Sequence, residues 1–306
     1  DKHENFELLE VDLSGSLKDL DMWMMYTPSH PLLSDADHII AGAAMIGGIS
    51  YFHKYAYDLL ATNERILANT FDLALALHKK YQLKKITVIS SSMVFENCSI
   101  YPTPESAIQS SPPPSSTYGF QKLSSEFFCL GAWEQYKLPY TIIRPFNCVG
   151  IGEVKTKTEK KLSESSSKLA LSHVVPDLIL KTLEAEDSIE ILGNGTQIRH
   201  YTYGEDLAEG IGLLLEHPNA KNEDFNLSTS QSTTVLELAE IIWRKIKPDQ
   251  DFKYTSTESF EYDVQKRIPS TEKAKSLLNF EAQTTLDEML DIVIPWIKDA
   301  KEKNLF

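Results

Sequence analysis

The sequence predicts an α/β fold built on a doubly wound parallel sheet. Three observations predict it. Short β-branched runs alternate with long helical patterns through the first half of the chain. Their order is strand, helix, strand, helix, strand, which implies parallel pairing through right-handed crossovers. The 306 residues, 42% of them hydrophobic, are enough to bury a real core and suggest one large domain or two ordinary ones.

Each element has its own signal. Phe6 to Val11 (FELLEV) is a strand candidate, and Asp37 to Ala44 (DHIIAGAA) reads as a buried strand running into a turn at Gly47 and Gly48. Tyr57 to Lys80 is helical, with Leu59, Leu60, Ile66, Leu67, Phe71, Leu75 and Leu77 at helical spacing. Lys85 to Ser90 (KITVIS) is the next strand. Tyr118 to Tyr136 is helical, entered from Pro112 to Thr117, whose Ser and Thr are natural N-caps. Tyr140 to Arg144 (YTIIR) follows as a strand. Glu153 to Lys168 is polar and reads as an exposed loop at the exit of the first domain. A helical pattern from His173, a strand at Ser188 to Leu192 and a turn at Gly193 to Gly195 come next. Helices at Gly204 to Glu216 and Val235 to Ile246 flank a strand at Phe225 to Ser228, and Leu286 to Lys303 closes the chain.

Composition narrows the function. Lys plus Arg number 30 against 44 Asp plus Glu, a net charge of −14, which offers little to a phosphate backbone or an anionic membrane. The expected ligand is a small molecule, with no nucleic acid or membrane partner. The uncharged stretch Ile39 to Tyr51 is shorter than the roughly 20 residues that span a bilayer, and no signal peptide is visible. Cys98, Cys129 and Cys148 lack metal-site spacing and read as reduced thiols of a cytoplasmic protein, with no metal expected.

A Tyr followed four positions later by Lys places both side chains on one helix face, a candidate acid/base pair. The spacing occurs at Tyr81/Lys85, Tyr118/Lys122 and Tyr262/Lys266. Only Tyr118/Lys122 opens a helix after a strand and loop, where sites of open α/β sheets collect; the other two pairs read as solvated surface. Ser90, Ser91 and Ser92 end the strand KITVIS, 26 to 28 residues before Tyr118. A hydroxyl there can orient a substrate oxygen during proton transfer, or it can simply cap its own backbone.

These residues resemble a known family. Ser91, Tyr118 and Lys122 resemble the Ser/Tyr/Lys triad of the extended short-chain dehydrogenase/reductases, the NAD-dependent nucleotide-sugar epimerases and dehydratases. Other motifs resemble the same family in the same order. Val11-Asp12-Leu13 is similar to its aspartate turn, and His38 to Ala44 to its strand ending at the cofactor. Asn63 is similar to the Asn of its central helix, and Arg144 to Gly150 (RPFNCVG) to its "RPFNVYG" loop. Gly193 to Arg199 with Asp206 is similar to a segment of its substrate side.

The resemblance implies a Rossmann-type domain at 1–150 and about 196–235. It implies a smaller C-terminal α/β region at 151–195 and 236–306 that binds the nucleotide sugar. Tyr118 would take a proton from a sugar hydroxyl, Lys122 would favour the phenolate and bind the nicotinamide ribose, and Ser91 would orient the reacting oxygen. Asp12, Leu13, Ala43, Ala44, Asn63, Ser90 and Pro145 would complete the site for NAD, with NADP as the alternative. Gly47, Ser92, Asn147, His173, Val174, Arg199 and Arg267 would contact substrate; Asn147 and the arginines would hold the diphosphate, although Arg199 also fits an ordinary ion pair. The family often dimerises through two helices, here the 57–80 and 118–136 segments. Phe127, Phe128 and Trp133 are candidate homodimer contacts or, equally, sheet-facing core.

Within the family, 4,6-dehydratases resemble Thr-Asp-Glu where Ser91, Ser92 and Met93 stand, so dehydration is not expected. Ala43 to Ile49 resembles the turn of GDP-fucose synthase and GDP-mannose 3,5-epimerase, but Met93 replaces their Cys and cannot carry a proton. The departure favours 4-epimerisation through a transient 4-keto sugar. A 3,5-epimerase/reductase using His173 is the alternative, though His173 could also be an idle helix-start residue. A catalytically silent nucleotide-binding or interaction module is a third reading. The 13 glycines form no G-x-x-G-x-x-G, so the resemblance implies that the first strand-helix segment, about 50 residues, is missing, with weak cofactor binding as the expectation.

Overall fold

The computed structural model describes residues 6, 8–15, 31–46, 54–152, 173–258 and 264–305. Among the described residues the fold is carried by β1 His38–Ala41, α1 Ala56–Lys80, β2 Lys85–Ile89, α2 Thr117–Tyr136, β3 Tyr140–Pro145, β4 Cys148–Val149, α3 Val174–Glu184, β5 Ile189–Leu192, β6 Ile198–Arg199, β7 Thr202–Tyr203, α4 Gly204–Glu216, β8 Glu223–Leu227, β9 Thr233–Thr234, α5 Val235–Ile246, β10 Tyr254–Thr257, α6 Glu272–Leu278 and α7 Leu286–Glu302.

The central sheet is parallel throughout, in the order β1-β2-β3-β8. Alternate residues of its strands point to opposite faces, and helices cover both, as a doubly wound sheet requires. On one face α1 and α2 bury Leu67, Phe71, Leu77, Cys129 and Ala132 against Ile86, Val88 and Ile142. Phe71 and Phe128 tie the two helices, ring centroids 5.4 Å apart. On the other face Leu207 and Leu214 of α4 meet Ile143, Phe225 and Leu227. A separate cluster gathers α3, α5, α7 and β5 around the fully buried Trp243. Thr234 and Thr285 start α5 and α7 with reciprocal capping boxes.

Several expectations are corrected. Residues 8–11 lie in no strand, and Phe6, Leu8 and Leu9 are exposed. Apolar content does not make a strand where no neighbour supplies hydrogen bonds. The 37–44 strand is shorter than expected and not buried. Among the described residues β1 pairs only with β2, and Ile40 is 48% exposed. Lys85 is buried, not solvated, and donates to the Leu214 carbonyl near the end of α4 at 2.5 Å. Phe127 is exposed, whereas Phe128 and Trp133 pack on the sheet-facing core. Gly47, Gly48, Tyr262 and the 153–168 loop lie outside the described residues.

Candidate active site

The carboxyl end of β2, flanked by β1 and β3, meets the start of α2, on the side of an open parallel sheet where ligands bind. After Ile89 the chain leaves the sheet through Ser90 and Ser91 into a short 3₁₀ turn, Ser92–Phe95. Ser91 caps that turn by accepting the Met93 N–H at 3.2 Å. Helix α2 begins at its own cap, Ser116, whose hydroxyl accepts the Gly119 N–H at 3.0 Å. Glu96 in turn accepts the Ser116 N–H and hydroxyl at 2.9 and 2.8 Å.

Gly119 sits where α2 crosses the serine turn. A Cβ there would lie 2.6 Å from Pro114 Cβ and 2.8 Å from the Met93 carbonyl oxygen. Only glycine lets the helix come this close, and the approach brings Tyr118 onto the end of β2. Tyr118 is hydrogen-bonded to Ser91. Lys122, one turn on, donates from Nζ to the Ile89 carbonyl at 2.9 Å, and its ammonium stands 6.0 Å from the Tyr118 ring centroid. The structure therefore brings Ser91, Tyr118 and Lys122 together.

The electrostatics add to the expectation that Lys122 favours a phenolate. Burial pushes the Tyr118 phenol above its ordinary value of 10, while the Ser91 hydrogen bond and the Arg267 charge pull it back. Arg267 is thus a second cation that acts on Tyr118, beside the Lys122 ammonium at its ring. Burial also lowers Lys122 to about 8, so this ammonium is charged at neutral pH and close to losing its proton above it.

On the cofactor side, Asn63 is 3% exposed and grips the turn after β1. Its Oδ1 accepts the Met45 N–H at 2.6 Å and its Nδ2 donates to the Met45 carbonyl at 2.9 Å. Asn63 thereby supports the backbone that follows Ala43 and Ala44. Ala43 is exposed and Ala44 half-buried. Asp12 closes a local turn on Ser14 N and Oγ at 2.8 and 2.6 Å, and the Leu13 carbonyl accepts from Asn69 Nδ2 at 2.6 Å, which ties that turn to α1. Pro145 ends β3 and Ser90 lies beside it, its N–H bonded to Ile143.

These residues fit the nicotinamide-ribose end of a dinucleotide. Lys122 carries three N–H donors, and its hydrogen bond to the Ile89 carbonyl uses one of them. It has donors to spare for ribose hydroxyls.

On the opposite side, Asn147 takes a left-handed conformation, φ 41°, which Asn tolerates better than most residues. Its Nδ2 reaches the His200 carbonyl at 3.2 Å, and its own carbonyl accepts the Thr202 N–H at 3.2 Å. Arg199 is buried on β6, and Arg267 is held to that strand by its N–H on the Ile198 carbonyl at 3.1 Å. Both guanidinium charges act on Tyr201, whose hydroxyl is buried without a hydrogen-bond partner among the described residues. Guanidinium groups are fork donors suited to an anion's oxygens. Ser92 is buried in the serine turn. His173 is exposed at the N-cap of α3, followed by the half-buried Val174. Gly47 lies outside the described residues.

Sequence reasoning did not single out Gly119, Tyr201 or Glu126, and it named Arg144 only as part of the RPFNCVG motif. Glu126 was detectable as the next step of the Tyr118, Lys122 spacing, and Arg144 as a charge inside the apolar run YTIIRP. Tyr201 and Gly119 carried no local signal.

Comparison with known proteins identifies a family for the chain. The model of the "NAD dependent epimerase/dehydratase family" matches residues 27–228. A protein of Oryza sativa subsp. japonica assigned by name to the GDP-L-fucose synthases is 28% identical over 211 residues, 67% of this chain and 56% of that protein. The GDP-L-fucose synthase of Sinorhizobium fredii is 26% identical over 222 residues, 70% of this chain and 65% of that protein. The chain thus spans less than two thirds of the length of these relatives. Among solved structures, an epimerase of Methanothermobacter thermautotrophicus aligns with a TM-score of 0.80 at 21% identity, covering 99% of this chain and 81% of its own. The UDP-glucose 4-epimerase of Thermotoga maritima, solved with UDP-glucose, aligns at 0.76 and 23%, covering 98% and 87%. The UDP-glucuronic acid 4-epimerase of Bacillus cereus, solved with UDP-glucuronic acid and NAD, aligns at 0.73 and 23%, covering 90% and 80%. At these identities the structural likeness establishes the fold.

Proposed function

Because the chain belongs to the NAD-dependent epimerase/dehydratase family, we propose that it is a nucleotide-sugar 4-epimerase in which Tyr118 moves the proton at the sugar oxygen. The observation that carries the reading is the Tyr118–Ser91 hydrogen bond at the end of β2, with Lys122 one turn away.

A bound nicotinamide dinucleotide, NAD in this reading, supplies reversible acceptance of a hydride from the sugar carbon. The chain's own groups do the rest. Ser91 holds the reacting oxygen beside Tyr118, whose Oη takes the hydroxyl proton and later returns it. Because burial keeps the free phenol above 10, the proton-accepting form depends on positive charge, and Arg267 and Lys122 supply it. Lys122 would also hold the ribose through its spare donors. Arg199, Arg267 and Asn147 would hold the diphosphate, and the sugar would rotate above Ser91 and Ser92.

The proposed molecule is a cytoplasmic homodimer of two regions. A dinucleotide-binding region comprises 1–150 and about 196–235, and a nucleotide-sugar region comprises 151–195 and 236–306. The outer face of α1 and α2, where Tyr57, Phe127 and Leu130 are exposed, would form the contact. Sizing in solution should give twice the chain mass.

A second reading, a GDP-keto-sugar 3,5-epimerase/reductase using His173 and NADP, draws support from relatives named as GDP-L-fucose synthases. The full-length protein incubated with UDP- and GDP-hexoses and either dinucleotide separates the two. Inversion at C4 that is lost in Tyr118→Phe and kept in His173→Ala supports the first. Loss in His173→Ala with a 4-keto GDP-sugar as substrate supports the second. No C4 inversion of any hexose tested, with either dinucleotide, overturns the first.

A further inference from the structure

Helix α2 faces the end of β2 with one side chain per turn. Tyr118, Lys122 and Glu126 are spaced four apart and share one stripe of the helix. Each meets a different point of the same strand end: the Ser91 hydroxyl, the Ile89 carbonyl at 2.9 Å, and the Ser90 hydroxyl, which donates to Glu126 Oε1 at 2.6 Å. The first two contacts belong to the site already described. The third is buried, with Glu126 4% and Ser90 3% exposed.

Glu126 cannot turn freely. Its Oε1 also accepts Arg144 Nε at 2.8 Å, and its Oε2 accepts Arg144 Nη2 at 2.7 Å, a planar fork that fixes the carboxylate. Arg144, 1% exposed on β3, continues through Nη1 to Asp224 Oδ2 on β8 at 2.7 Å, and Asp224 Oδ1 receives Lys273 Nζ of α6 at 2.8 Å. The guanidinium also lies 5.0 Å from the centroid of Phe95, in the turn that Ser91 caps. One chain of charge therefore crosses two neighbouring strands, β3 and β8, and ends on the helix that carries Tyr118.

We propose that Glu126 and Arg144 are positioning residues for the Tyr118–Ser91 pair. They fix the axial register of α2 on β2, and through Ser90 they fix the strand end that presents the Ser91 hydroxyl. The effect on turnover rests on the reading of Tyr118 as the proton-moving group. The effect on geometry does not.

The test uses the full-length protein labelled with 3-fluorotyrosine and read by ¹⁹F NMR. The Tyr118 resonance is identified by its loss in Tyr118→Phe, and Ser91→Ala gives its position when the contact is broken. Ser90→Ala cuts the link to the strand while leaving the Glu126–Arg144 fork whole; Glu126→Gln opens the fork itself. In both variants the Tyr118 resonance should move from the wild-type position toward that of Ser91→Ala. Where the wild type inverts C4, kcat should fall about 10²-fold with KM little changed, as for a reacting group displaced by about 1 Å. If Glu126→Gln does not fold, Ser90→Ala decides. A folded Ser90→Ala with the Tyr118 resonance unmoved overturns the proposal, because a merely structural network would change the melting temperature alone. If the wild type turns over no nucleotide sugar, the epimerase reading falls while the resonance still decides the positioning.

Discussion

Replacing Lys122 by methionine separates the stability that this ammonium costs from the work it does. Lys122 is 8% exposed, and burial lowers it from 10.5 to about 8. That drop corresponds to about 3 kcal/mol of disfavoured charge at neutral pH. The hydrogen bond to the Ile89 carbonyl, of the charge-assisted kind that contributes about 1.5–3 kcal/mol, offsets much of it. Lys122→Met should therefore unfold close to wild type at pH 7. The difference between the two proteins then depends on pH. Below pH 8 the native lysine is protonated and the full penalty is present. Between about 8 and 10.5 the native state has released its proton while the unfolded chain still holds one, so wild type gains on the variant by about 1.4 kcal/mol per pH unit. Urea unfolding of both proteins at pH 7, 8, 9 and 10 measures this, since other titrating groups cancel in the difference. A difference that is flat or falls with pH refutes the reasoning.

Further predictions concern the groups that hold the site in place. Gly119→Ala should destabilise by about 1–3 kcal/mol through overpacking, because its methyl meets Pro114 and the Met93 carbonyl; chemical denaturation checks this. Asn63→Ala removes both hydrogen bonds to Met45 and should cost about 2 kcal/mol, with dinucleotide binding by calorimetry weakened as the 43–45 turn loosens. Arg267→Met removes the charge that pulls the Tyr118 phenol down, so the rise of kcat/KM with pH should move to higher pH; an unmoved profile contradicts the assignment.

What the sequence revealed follows from how locally each feature is encoded. Helices α1, α2, α4, α5 and α7 were legible because each buries one stripe, so the core writes its period into the chain. The strands β2 and β3 were legible because burial on both faces leaves continuous β-branched runs. Strand β10, Tyr254–Thr257, was not, since all four residues are exposed and no hydrophobic pattern marks them. The FELLEV run failed for the opposite reason, being apolar but, over 8–11, unpaired among the described residues. Lys85 was misjudged because its partner, the Leu214 carbonyl, is 129 residues away. In the site, Tyr118, Lys122 and Ser91 stood out by spacing and order. The Glu126–Arg144–Asp224 chain did not, because its contacts join three elements that only the folded sheet brings to one level.

The stripe on α2 has a consequence for how this protein can change. Each residue advances an α-helix by 1.5 Å and turns it by about 100°. Deleting a single residue between Tyr118 and Glu126 would leave Glu126 seated in its fork and swing Tyr118 a quarter-turn or more away from Ser91. Exchanging the outward Phe120 or Phe127, both exposed, leaves that phase untouched. The helix can thus absorb many substitutions and almost no insertions or deletions; what must be preserved along it is a count of residues, eight from the tyrosine to the glutamate.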